Sequence, residues 1–483
     1  KFRTLTVCVT IYCAVASHVM ALDQVSFDVS DATKDMVSDL KSASLTYVAK
    51  KNGKTNPQDV LAAARADYAI LLGVLYGRGH YSGIVKILVD GREAANISPL
   101  FPPQEIGTIL IRVVPGPAFR LGQASIAPLA KETELPTGFV SGAIAPSSIV
   151  KETVLAGIKG WRDDGYAKVE VSGQRLQANH RRAELNVDIT LEPGPRLSFG
   201  KLLPYGSKSV RTKRIHEIAN LPEGEIYSPA AVDEAALRLR RTGSFSSVAL
   251  SEAEEVAVDN TLNINAELVD APPRRFGFGA ELSTLEGLSL SGFWLHRNLL
   301  GGAERLRIGG EITGIGGTTG GVDYSVNARF DRPATFGANT ALFLTAGTER
   351  LNEPDFSADQ YWVGVGLSRI VSNTATAELS LEYRHSQVSD VRGTNDFDLV
   401  SLPVSVTWDR RDNMLNPRDG FFIFSELRPF AGFGSTSSGI RAFIDGRAYH
   451  LLSNKLVLAN RVQLGSVLGT GVATAPPDYL FYS

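Results

Sequence analysis

The sequence predicts α+β repeats of the order β-α-α-β-β, followed by an all-β antiparallel transmembrane barrel. Two observations carry this prediction. Pro115-Gly116-Pro117 recurs as Pro193-Gly194-Pro195 about 78 residues later, and the same order of helix and strand patterns precedes each copy. From Arg274 onward helical periodicity is absent, and segments of about ten residues alternate between apolar and polar side chains, as in outer-membrane barrels.

The first 21 residues have the features of a secretory signal peptide. A basic start precedes an apolar stretch from Leu5 to Ala16, and Val19-Met20-Ala21 offers a cleavage position. A membrane anchor is the alternative, but this stretch is shorter than the hydrocarbon core of a bilayer requires. Cys8 and Cys13, the two cysteines of the chain, both lie within it. We therefore expect no disulfide and no thiol chemistry in the rest of the chain.

Three repeats are predicted, over residues 22–116, 117–194 and 195–271. In each, an amphipathic helix begins at an Asn, Ser or Pro residue, ends at a glycine and is followed within two residues by an aromatic side chain. Two strands with alternating apolar residues come next, and a further strand precedes the helices. The glycine and aromatic positions are Gly79 and Tyr81, Gly165 and Tyr166, and Gly243 and Phe245.

The predicted sheets have three strands with helices on one side, so each leaves at least one strand edge open. An open edge can accept a further strand from another chain. The repeats can also be a rigid spacer arm. The two interpretations are compatible.

Residues 272–483 are predicted to form the barrel. In Thr374–Arg384, alanine, leucine and tyrosine occupy one parity, whereas threonine, glutamate, serine and arginine occupy the other. A soluble β-sandwich is the alternative, but its strands are usually about 5–6 residues long and its polar face is not a charged lumen. The same alternation extends over Asp323–Asp331, Val400–Asp409 and Lys455–Leu464.

The connections between the strands predict an orientation. Those after even-numbered strands are mostly short, such as Ser372–Thr374 and Ser453–Asn454, and those after odd-numbered strands are long. Outer-membrane barrels have short periplasmic turns and long extracellular loops, so the repeats are expected in the periplasm. The long connections are Thr313–Val322, Glu349–Gln360, Ser386–Phe397 and Ala431–Gly439.

The strand count predicts that the barrel is incomplete in this sequence. We count about eleven strands, whereas single-chain bacterial barrels have even numbers. The last strand would also present unpaired backbone groups to lipid.

No pattern typical of catalysis or cofactor binding occurs in the sequence. The seven histidines show no metal-binding spacing, Asp163-Asp164 closes a helix, and Gly314–Gly320 follows a strand without leading into a helix. The formal net charge of -2 gives no indication of nucleic-acid binding. We therefore expect neither an enzyme nor a bound cofactor, metal ion or nucleic acid.

Two segments stand out as motifs. Residues 293–306 read Phe-Trp-Leu-His-Arg-Asn-Leu-Leu-Gly-Gly-Ala-Glu-Arg-Leu, and residues 408–420 read Trp-Asp-Arg-Arg-Asp-Asn-Met-Leu-Asn-Pro-Arg-Asp-Gly. Their Asn, Asp, Pro and Gly residues favour turns. The segments are either well-formed periplasmic turns or carry a specific functional role. The candidate residues are Trp294, Arg297, Asn298, Gly301 and Glu304 in the first, and Asp409, Arg411, Asp412, Asn413, Pro417 and Gly420 in the second.

Together, the repeats and motifs resemble the outer-membrane assembly factors that join POTRA repeats to a surface-antigen β-barrel. The first segment is similar to the family pattern W-x-H-R-N-L-x-G-x-G-E-x-L, with Ala303 in place of its glycine. The second is similar to D-x-R-D-N-x-L-x-P-x-x-G. Within this superfamily the chain most resembles the TamA branch (translocation and assembly module), because the BamA branch typically has five POTRA repeats and two-partner secretion transporters have two.

The resemblance implies an outer-membrane protein of a Gram-negative bacterium that helps to insert or secrete β-barrel and autotransporter-like polypeptides. Its expected partners are unfolded outer-membrane or autotransporter clients, outer-membrane lipid and a TamB-like periplasm-spanning protein at the first repeat. Clients would add a strand to the repeats and enter the bilayer through a lateral seam of the barrel. The alternative is a passive channel or polypeptide-secretion pore with a periplasmic docking arm, and a third interpretation is a structural tether.

Overall fold

The computed structural model describes residues 22–53, 56–318, 320–391, 393–434, 436–471, 474–475 and 479–480. The predicted signal peptide, residues 1–21, lies outside the described residues. The chain divides into two compact units, Lys1–Arg196 and Leu197–Ser483. The first unit contains two α/β repeats, and the second contains a third repeat and a large antiparallel sheet.

The first repeat is a four-stranded mixed sheet with three helices, one helix and one short strand more than predicted. Its elements are β1 Gln24–Val29, α1 Lys34–Ala43, α2 Leu45–Lys51, α3 Pro57–Gly77, β2 Ile84–Val89, β3 Arg92–Glu93 and β4 Thr108–Val114, in the sheet order β1-β4-β2-β3. By length and composition α3 could cross a membrane, with 21 residues and a mean hydropathy of 1.4. However, Leu61, Leu71 and Leu75 of α3 are buried in the core of the repeat, as in a core helix.

The second repeat has a single helix where the sequence predicts two. Its elements are β5 Arg120–Ala127, α4 Ser147–Asp163, β6 Glu170–Asn179 and β7 Glu184–Glu192, in the order β5-β7-β6. The segment before α4 is irregular because Pro128, Pro136, Gly138 and Gly142 each disfavour a helix. The β-α-α-β-β prediction is therefore wrong for this repeat.

The third repeat has the predicted order of elements. These are β8 Ser198–Tyr205, α5 Thr212–Ala219, α6 Pro229–Arg241, β9 Phe245–Glu252 and β10 Thr261–Asp270, in the sheet order β8-β10-β9. The last strand of the repeat is central, parallel to β8 and antiparallel to β9. Its alternating side chains Leu262, Ile264, Ala266 and Leu268 are buried against the helices.

The remaining strands form one antiparallel sheet in which sequence neighbours pair. They are β11 Arg274–Ser283, β12 Gly287–His296, β13 Arg305–Ile315, β14 Asp323–Arg332, β15 Thr340–Asn352, β16 Phe356–Ser372, β17 Ala375–Asp390, β18 Gly393–Ser401, β19 Val404–Asp409, β20 Gly420–Phe433, β21 Gly439–Ser453 and β22 Leu456–Leu468. The strands β18 and β19 lie end to end between β17 and β20, interrupted at Leu402-Pro403. Proline lacks the N–H that a ladder needs. The described strands thus occupy eleven positions, as predicted.

The two faces of the sheet differ as the alternation predicts. Leu379 and Leu381 of β17 are exposed on one face, whereas Glu378 and Glu382 are ion-paired on the other. This pattern gives an apolar outer face and a charged inner face, which is the arrangement of an outer-membrane barrel.

The predicted lengths of the connections are partly wrong. Connections 353–355 and 391–392 are short, because β15 to β18 continue as hairpins through Glu349–Gln360 and Ser386–Phe397. Polar side chains pair across the second hairpin, as in the 2.9 Å hydrogen bond from Gln387 Nε2 to Asp396 Oδ1. Such cross-strand pairs stabilise the pairing of two β-strands in water as well as in lipid. The loss of apolar alternation therefore does not mark the end of a strand here.

Candidate functional site

The first motif segment forms the turn between β12 and β13, residues 297–304. Within it, Asn298 Oδ1 accepts a hydrogen bond from the Ala303 N–H at 2.8 Å, and the buried carboxylate of Glu304 accepts one from the Gly302 N–H at 2.7 Å. Ala303 has a φ of +62°. Glycine, which the family pattern has at this position, adopts this conformation freely, whereas alanine does so at a cost of about 1–2 kcal/mol.

This turn binds the third repeat directly. The carbonyl oxygen of Gly301 accepts the Arg211 N–H at 2.9 Å, and Asn298 Nδ2 donates to the carbonyl oxygen of Ser209 at 2.6 Å. An Arg211 guanidinium nitrogen lies 3.7 Å from a carboxylate oxygen of Glu304. The side chains that shape the turn therefore also attach it to the segment that leads into α5.

Arg297 fixes the linker between β10 and β11. Its N–H donates to the carbonyl oxygen of Pro273 at 2.8 Å, and its guanidinium donates to that of Pro272 at 2.7 Å. Its own carbonyl oxygen accepts a hydrogen bond from Ser244 Oγ at 2.7 Å. Arg297 is thus hydrogen-bonded both to the linker that leads into β11 and to Ser244 of the third repeat.

Arginines of α5 and α6 reach further turns at the same end of the sheet. The carbonyl or amide oxygens of these turns accept the hydrogen bonds, so each pairing is charge-assisted. These turns follow even-numbered strands, so the third repeat lies at the end that the sequence assigns to the periplasm. The pairs are Arg214 with the carbonyl oxygen of Pro333, Arg238 Nε with Asn339 Oδ1 at 3.0 Å, and Arg241 Nη2 with Asn373 Oδ1 at 3.0 Å.

These arginines are not among the functional residues predicted from the sequence. A signal was present, because Arg238, Arg240 and Arg241 cluster in the last turn of α6, and Arg211 and Arg214 bracket the start of α5. Basic residues are common in the last turn of a helix, however, because they complement the helix dipole there, so the cluster in α6 is not distinctive. Only the fold shows that these side chains bind the sheet.

Two carboxylates of the third repeat remain ionised at this junction. A hydrogen bond from Arg214 lowers the pKa of Glu217. Burial raises the pKa of Asp270, but hydrogen bonds from Ser207 Oγ and from the N–H groups of Lys208 and Ser209 outweigh it, so this pKa is lowered overall. Both groups therefore contribute fixed negative charge at neutral pH.

Trp294, a candidate of the first motif, lies in β12 and not in the turn. It is opposite Phe276 of β11 and Ile308 of β13, on the outer face of the sheet. Its ring centroid is 5.9 Å from that of His296. We interpret it as a side chain of the lipid-facing surface near the periplasmic end, where aromatic residues are frequent.

The second motif segment forms the turn between β19 and β20, residues 410–419. Arg411 binds the carboxylate of Asp409 through two nitrogens, at 2.9 and 2.7 Å. Asp412 Oδ1 accepts the N–H groups of Arg418 and Asp419 at 2.9 and 3.2 Å. These backbone hydrogen bonds lower the pKa of Asp412.

The other candidates of this segment shape the same turn. Asn413 Oδ1 accepts the N–H of Leu415 at 2.9 Å, and the half-buried Pro417 lies before the return to β20. Gly420 has a φ of +99°, and a Cβ there would lie 2.1 Å from a backbone carbonyl oxygen. Leu415 and Met414 are exposed at the tip. Asp412 and Asn413 thus bond within the turn, Arg418 Nη2 also donates to the carbonyl oxygen of Asn454 at 2.9 Å, and β14 to β17 separate the turn from the first motif.

The glycines of the repeats end helices. Gly79, Gly165 and Gly243 each stand two residues after the last helical residue, with φ values of +84°, +96° and +68°. This left-handed position favours glycine at the end of a helix.

The aromatic residues that follow these glycines pack or form hydrogen bonds, and for Tyr81 of the first repeat these contacts are with the second repeat. The Tyr81 hydroxyl donates to the carbonyl oxygen of Ala145 at 2.8 Å. The rings of Tyr166 and Trp161 lie 4.8 Å apart, and Phe245 is buried in β9. These contacts indicate structural roles for the predicted repeat residues.

The inner face of the sheet carries a belt of paired charges. Arg428 lies 3.2 Å from Glu382 and 3.1 Å from Glu426, and Arg329 lies 2.9 Å from Glu378. Among the residues that the structure describes, no three His, Cys, Asp or Glu side chains are arranged to hold a metal ion. The inner charges are compensated mainly by one another.

Comparisons with known proteins agree with this architecture. Residues 298–483 match the family model of the Omp85 superfamily domain. A curated relative, the outer membrane protein assembly factor BamA of Nitratidesulfovibrio vulgaris (strain Hildenborough), is 22% identical over 335 residues, which are 67% of this chain and 41% of the relative. The chain thus spans about two fifths of that relative's length.

One solved structure shows the same fold over most of its length, and a second is similar at a lower score. BamA from Haemophilus ducreyi lacking POTRA domains 1–3 is similar with a TM-score of 0.61 and 16% identity, over 75% of this chain and 73% of that chain. CdiB from Escherichia coli is similar with a TM-score of 0.41 and 11% identity, over 73% of this chain and 69% of that chain.

Omp85 superfamily proteins are outer-membrane β-barrels with periplasmic POTRA domains. The apolar outer face of the sheet and the third repeat at its even-numbered turns agree with this location. The chain is therefore an outer-membrane protein whose N-terminal repeats lie in the periplasm. Its residues 298–483 match the family model of the Omp85 superfamily domain.

Proposed function

We propose that the chain is a TamA-like assembly factor that helps to insert or translocate β-barrel and autotransporter-like polypeptides at the outer membrane. The superfamily match and the similarity to a curated BamA assembly factor support the general role. The three repeats support the TamA-like assignment. The observation that carries the proposal is the first strand of the sheet, β11.

The strand β11 is one of the two terminal strands of the sheet that the described residues form, the other being β22. It pairs with β12 over its whole length, and it ends the sheet within the described residues. Phe276, Phe278 and Leu282 are exposed on its outer face, and Gly277 and Gly279 alternate with them. A second strand that pairs with β11 would have its backbone groups satisfied inside the bilayer, where each unsatisfied group costs several kcal/mol.

The glycines leave β11 with few side-chain contacts on its inner face. A Cβ at Gly277 would lie 2.2 Å from a ring carbon of Phe293, and the Arg307 guanidinium carbon lies 4.1 Å from the centroid of that ring. Pairing at β11 therefore depends mainly on backbone hydrogen bonds. A client strand can offer the same bonds whatever its sequence, which suits a factor with many clients.

In the proposed cycle, the periplasmic repeats hold an extended client, and its first strand then pairs with β11. The driving force we propose is client folding and the burial of apolar surface. The TamA-like assignment extends the proposal to a TamB-like partner at the first repeat. A passive channel or secretion pore would instead leave β11 unused by clients.

In-cell photocrosslinking tests the proposal. A photoreactive amino acid at Phe278, on β11, is compared with one at Leu427, which is exposed on the same face but lies within β20. We expect assembling outer-membrane polypeptides to crosslink from Phe278 and not from Leu427. Equal capture at both positions, or none at either while clients assemble normally, would refute strand pairing at β11 and favour the channel.

A further inference from the structure

Two arginines of the inner face flank one aromatic ring at the start of the sheet. Arg275 of β11 and Arg307 of β13 both lie opposite Leu295 of β12, one on each side of it. Their guanidinium carbons lie 5.8 and 4.1 Å from the ring centroid of Phe293, two residues away on β12. Contacts of this kind hold a guanidinium against a ring without neutralising its charge.

These two arginines have no carboxylate partner, unlike the other arginines described over aromatic rings of the sheet. Within the described residues neither Arg275 nor Arg307 forms an ion pair, and both side chains are exposed. Each of the others lies within 3.3 Å of a carboxylate oxygen that compensates its charge. Those arginines are Arg329, Arg384, Arg411, Arg428, Arg441 and Arg447.

A cavity of about 520 Å³ adjoins the arginine pair, and Phe293 and several glycines also line it. Gly277 and Gly309 lie directly opposite Phe293 on the two neighbouring strands. The ring leans over Gly277, where a Cβ would lie 2.2 Å from a ring carbon, and Gly309 adds no side chain on the other side. The main chain of a bound polypeptide can therefore approach the sheet closely beside the two guanidiniums.

The cavity has ends of opposite charge. Besides the two arginines, its lining contains one charged residue, Glu311, four residues beyond Arg307 on β13. At about 3.4 Å per residue these two positions are about 14 Å apart along the strand, which exceeds the Debye length of about 8 Å at physiological ionic strength. Glu311 therefore leaves the arginine pair uncompensated and disfavours acidic groups at the opposite end.

The spacing of the arginines indicates the kind of anion that fits. Arg275 and Arg307 belong to strands on either side of β12, so their Cα atoms are about 10 Å apart. In an extended polypeptide, side chains at alternate positions point to the same side and are about 7 Å apart. Two such carboxylates can each meet one guanidinium in a charge-assisted hydrogen bond. A single phosphate group would instead need both guanidiniums to converge on it, so the spacing favours an acidic polypeptide segment.

We infer that Arg275 and Arg307 form a binding site for polypeptide segments that carry acidic side chains at two alternate positions. The inference rests on the proposed function and names a feature of the client that the inner face beside β11 recognises. A backbone ladder repeats every two residues and does not fix the position of a strand by itself. Acidic residues held by the two arginines fix that position, and Glu311 disfavours the reversed orientation.

The probe is the hexapeptide Ser-Glu-Ser-Glu-Ser-Ser, which carries an uncharged fluorescent dye, and its neutral control has glutamine in place of both glutamates. Binding to the full chain in non-ionic detergent micelles is measured by fluorescence anisotropy at low salt. The variants are Arg275→Gln, Arg307→Gln and the two combined. Arg305→Gln is the matched control, because Arg305 is on the same face of β13 and is 49% exposed but pairs with Asp331 at 3.2 Å.

We expect each single variant to weaken binding of the acidic peptide about fivefold, and the double variant to weaken it at least about tenfold. Arg305→Gln should change it less than about twofold. The neutral peptide should bind the unsubstituted chain at least about tenfold more weakly, and salt should reduce this difference. Equal effects of Arg305→Gln and Arg307→Gln, or equal binding of the two peptides, would overturn the inference. So would displacement of the acidic peptide by an equal concentration of short-chain phosphatidylglycerol, which would assign the site to a lipid phosphate.

The outcome is separable from that of the proposed function. If the double variant binds the acidic peptide normally while clients still crosslink from Phe278, the inference fails and the assembly role stands. If the peptide binds as expected but no client reaches Phe278, the assembly role fails and the arginine pair remains a site for acidic polypeptide.

Discussion

Val404 and Ser405 are adjacent residues of β19 that should respond in opposite ways to the same substitution. Val404 lies opposite Leu379 of β17 and Leu427 of β20, on the apolar outer face. Ser405 lies on the inner face, opposite Glu378 and Glu426 of the same two strands. We expect Val404→Arg to destabilise the protein in a bilayer and Ser405→Arg to be tolerated.

The size of the effect follows from the depth of Val404. Its partner Leu379 is four residues beyond the start of β17 at Ala375. With about 3.4 Å per residue and a strand tilt of about 40°, Val404 lies about 10 Å from the periplasmic turns, near the middle of an apolar band about 25 Å tall. An arginine at this depth costs about 2–4 kcal/mol. At Ser405 it meets two carboxylates, so we expect a change below about 1 kcal/mol.

The assay is a urea titration of both variants and the unsubstituted protein in phosphatidylcholine vesicles, followed by tryptophan fluorescence. A loss of 3 kcal/mol corresponds to about a 150-fold change in the folding equilibrium constant. Equal losses for Val404→Arg and Ser405→Arg would refute the assignment of the outer face to lipid. A greater loss for Ser405→Arg would show that the two faces are reversed.

Three further predictions concern the motif turns. Gly420→Ala should cost about 1–3 kcal/mol in the same titration, because of its positive φ and the close carbonyl oxygen, whereas Gly434→Ala, at a φ of +64° with open space around it, should cost less. Glu304→Ala should lower the free energy of unfolding by about 1–3 kcal/mol and speed proteolysis at the junction with the third repeat, because the Gly302 N–H loses its hydrogen-bond partner. Glu304→Gln keeps an acceptor oxygen and should therefore recover much of this loss. The pKa of Asp412 is lower in the folded protein than in the unfolded chain, so its contribution to the stability of the turn is fully present above the unfolded pKa of about 3.9 and is lost as the pH falls through the folded value. Amide exchange of the turn should therefore accelerate only in that acidic range. Asp412→Asn should remove this pH dependence.

The faces of the sheet could be predicted because a strand has a period of two regardless of its neighbours. The alternation at Glu378 and Leu379 assigns one to the inner face and the other to the outer face, and the structure confirms both. Strand ends are different, because they depend on cross-strand pairs. Ser389 and Thr394 bond each other at 2.8 Å across a hairpin that the sequence predicts as a loop.

The second repeat shows a different limit. The order β-α-α-β-β predicts a second helix in this repeat, but its residues contradict that prediction. Pro136 and Gly138 interrupt the segment before α4, and Phe139 is buried in the core although it belongs to no helix. A repeat of spacing therefore does not guarantee a repeat of structure, and local propensity is the better guide here.

The junction arginines could not be predicted because their partners are remote in the sequence. Arg238 and Asn339 are 101 residues apart, and Arg241 and Asn373 are 132 residues apart. Neither pair has a local pattern that would link its members. Only the placement of α6 against the turns of the sheet brings them within hydrogen-bond distance.

The contrast between the two motif turns bears on whether such segments are only well-formed turns. In the 410–419 turn, the turn formers Asp412 and Asn413 bond only to backbone groups that follow them within the turn. In the 297–304 turn, the Asn298 side chain forms two hydrogen bonds, one to a backbone group within the turn and one to Ser209 of the third repeat. A turn former that needs only its own backbone can be replaced by another turn former of similar geometry. A residue that also binds a second element cannot, because the replacement must satisfy both partners at once. The first motif therefore carries a constraint beyond turn formation, which is to set the position of the third repeat at the entrance to β11.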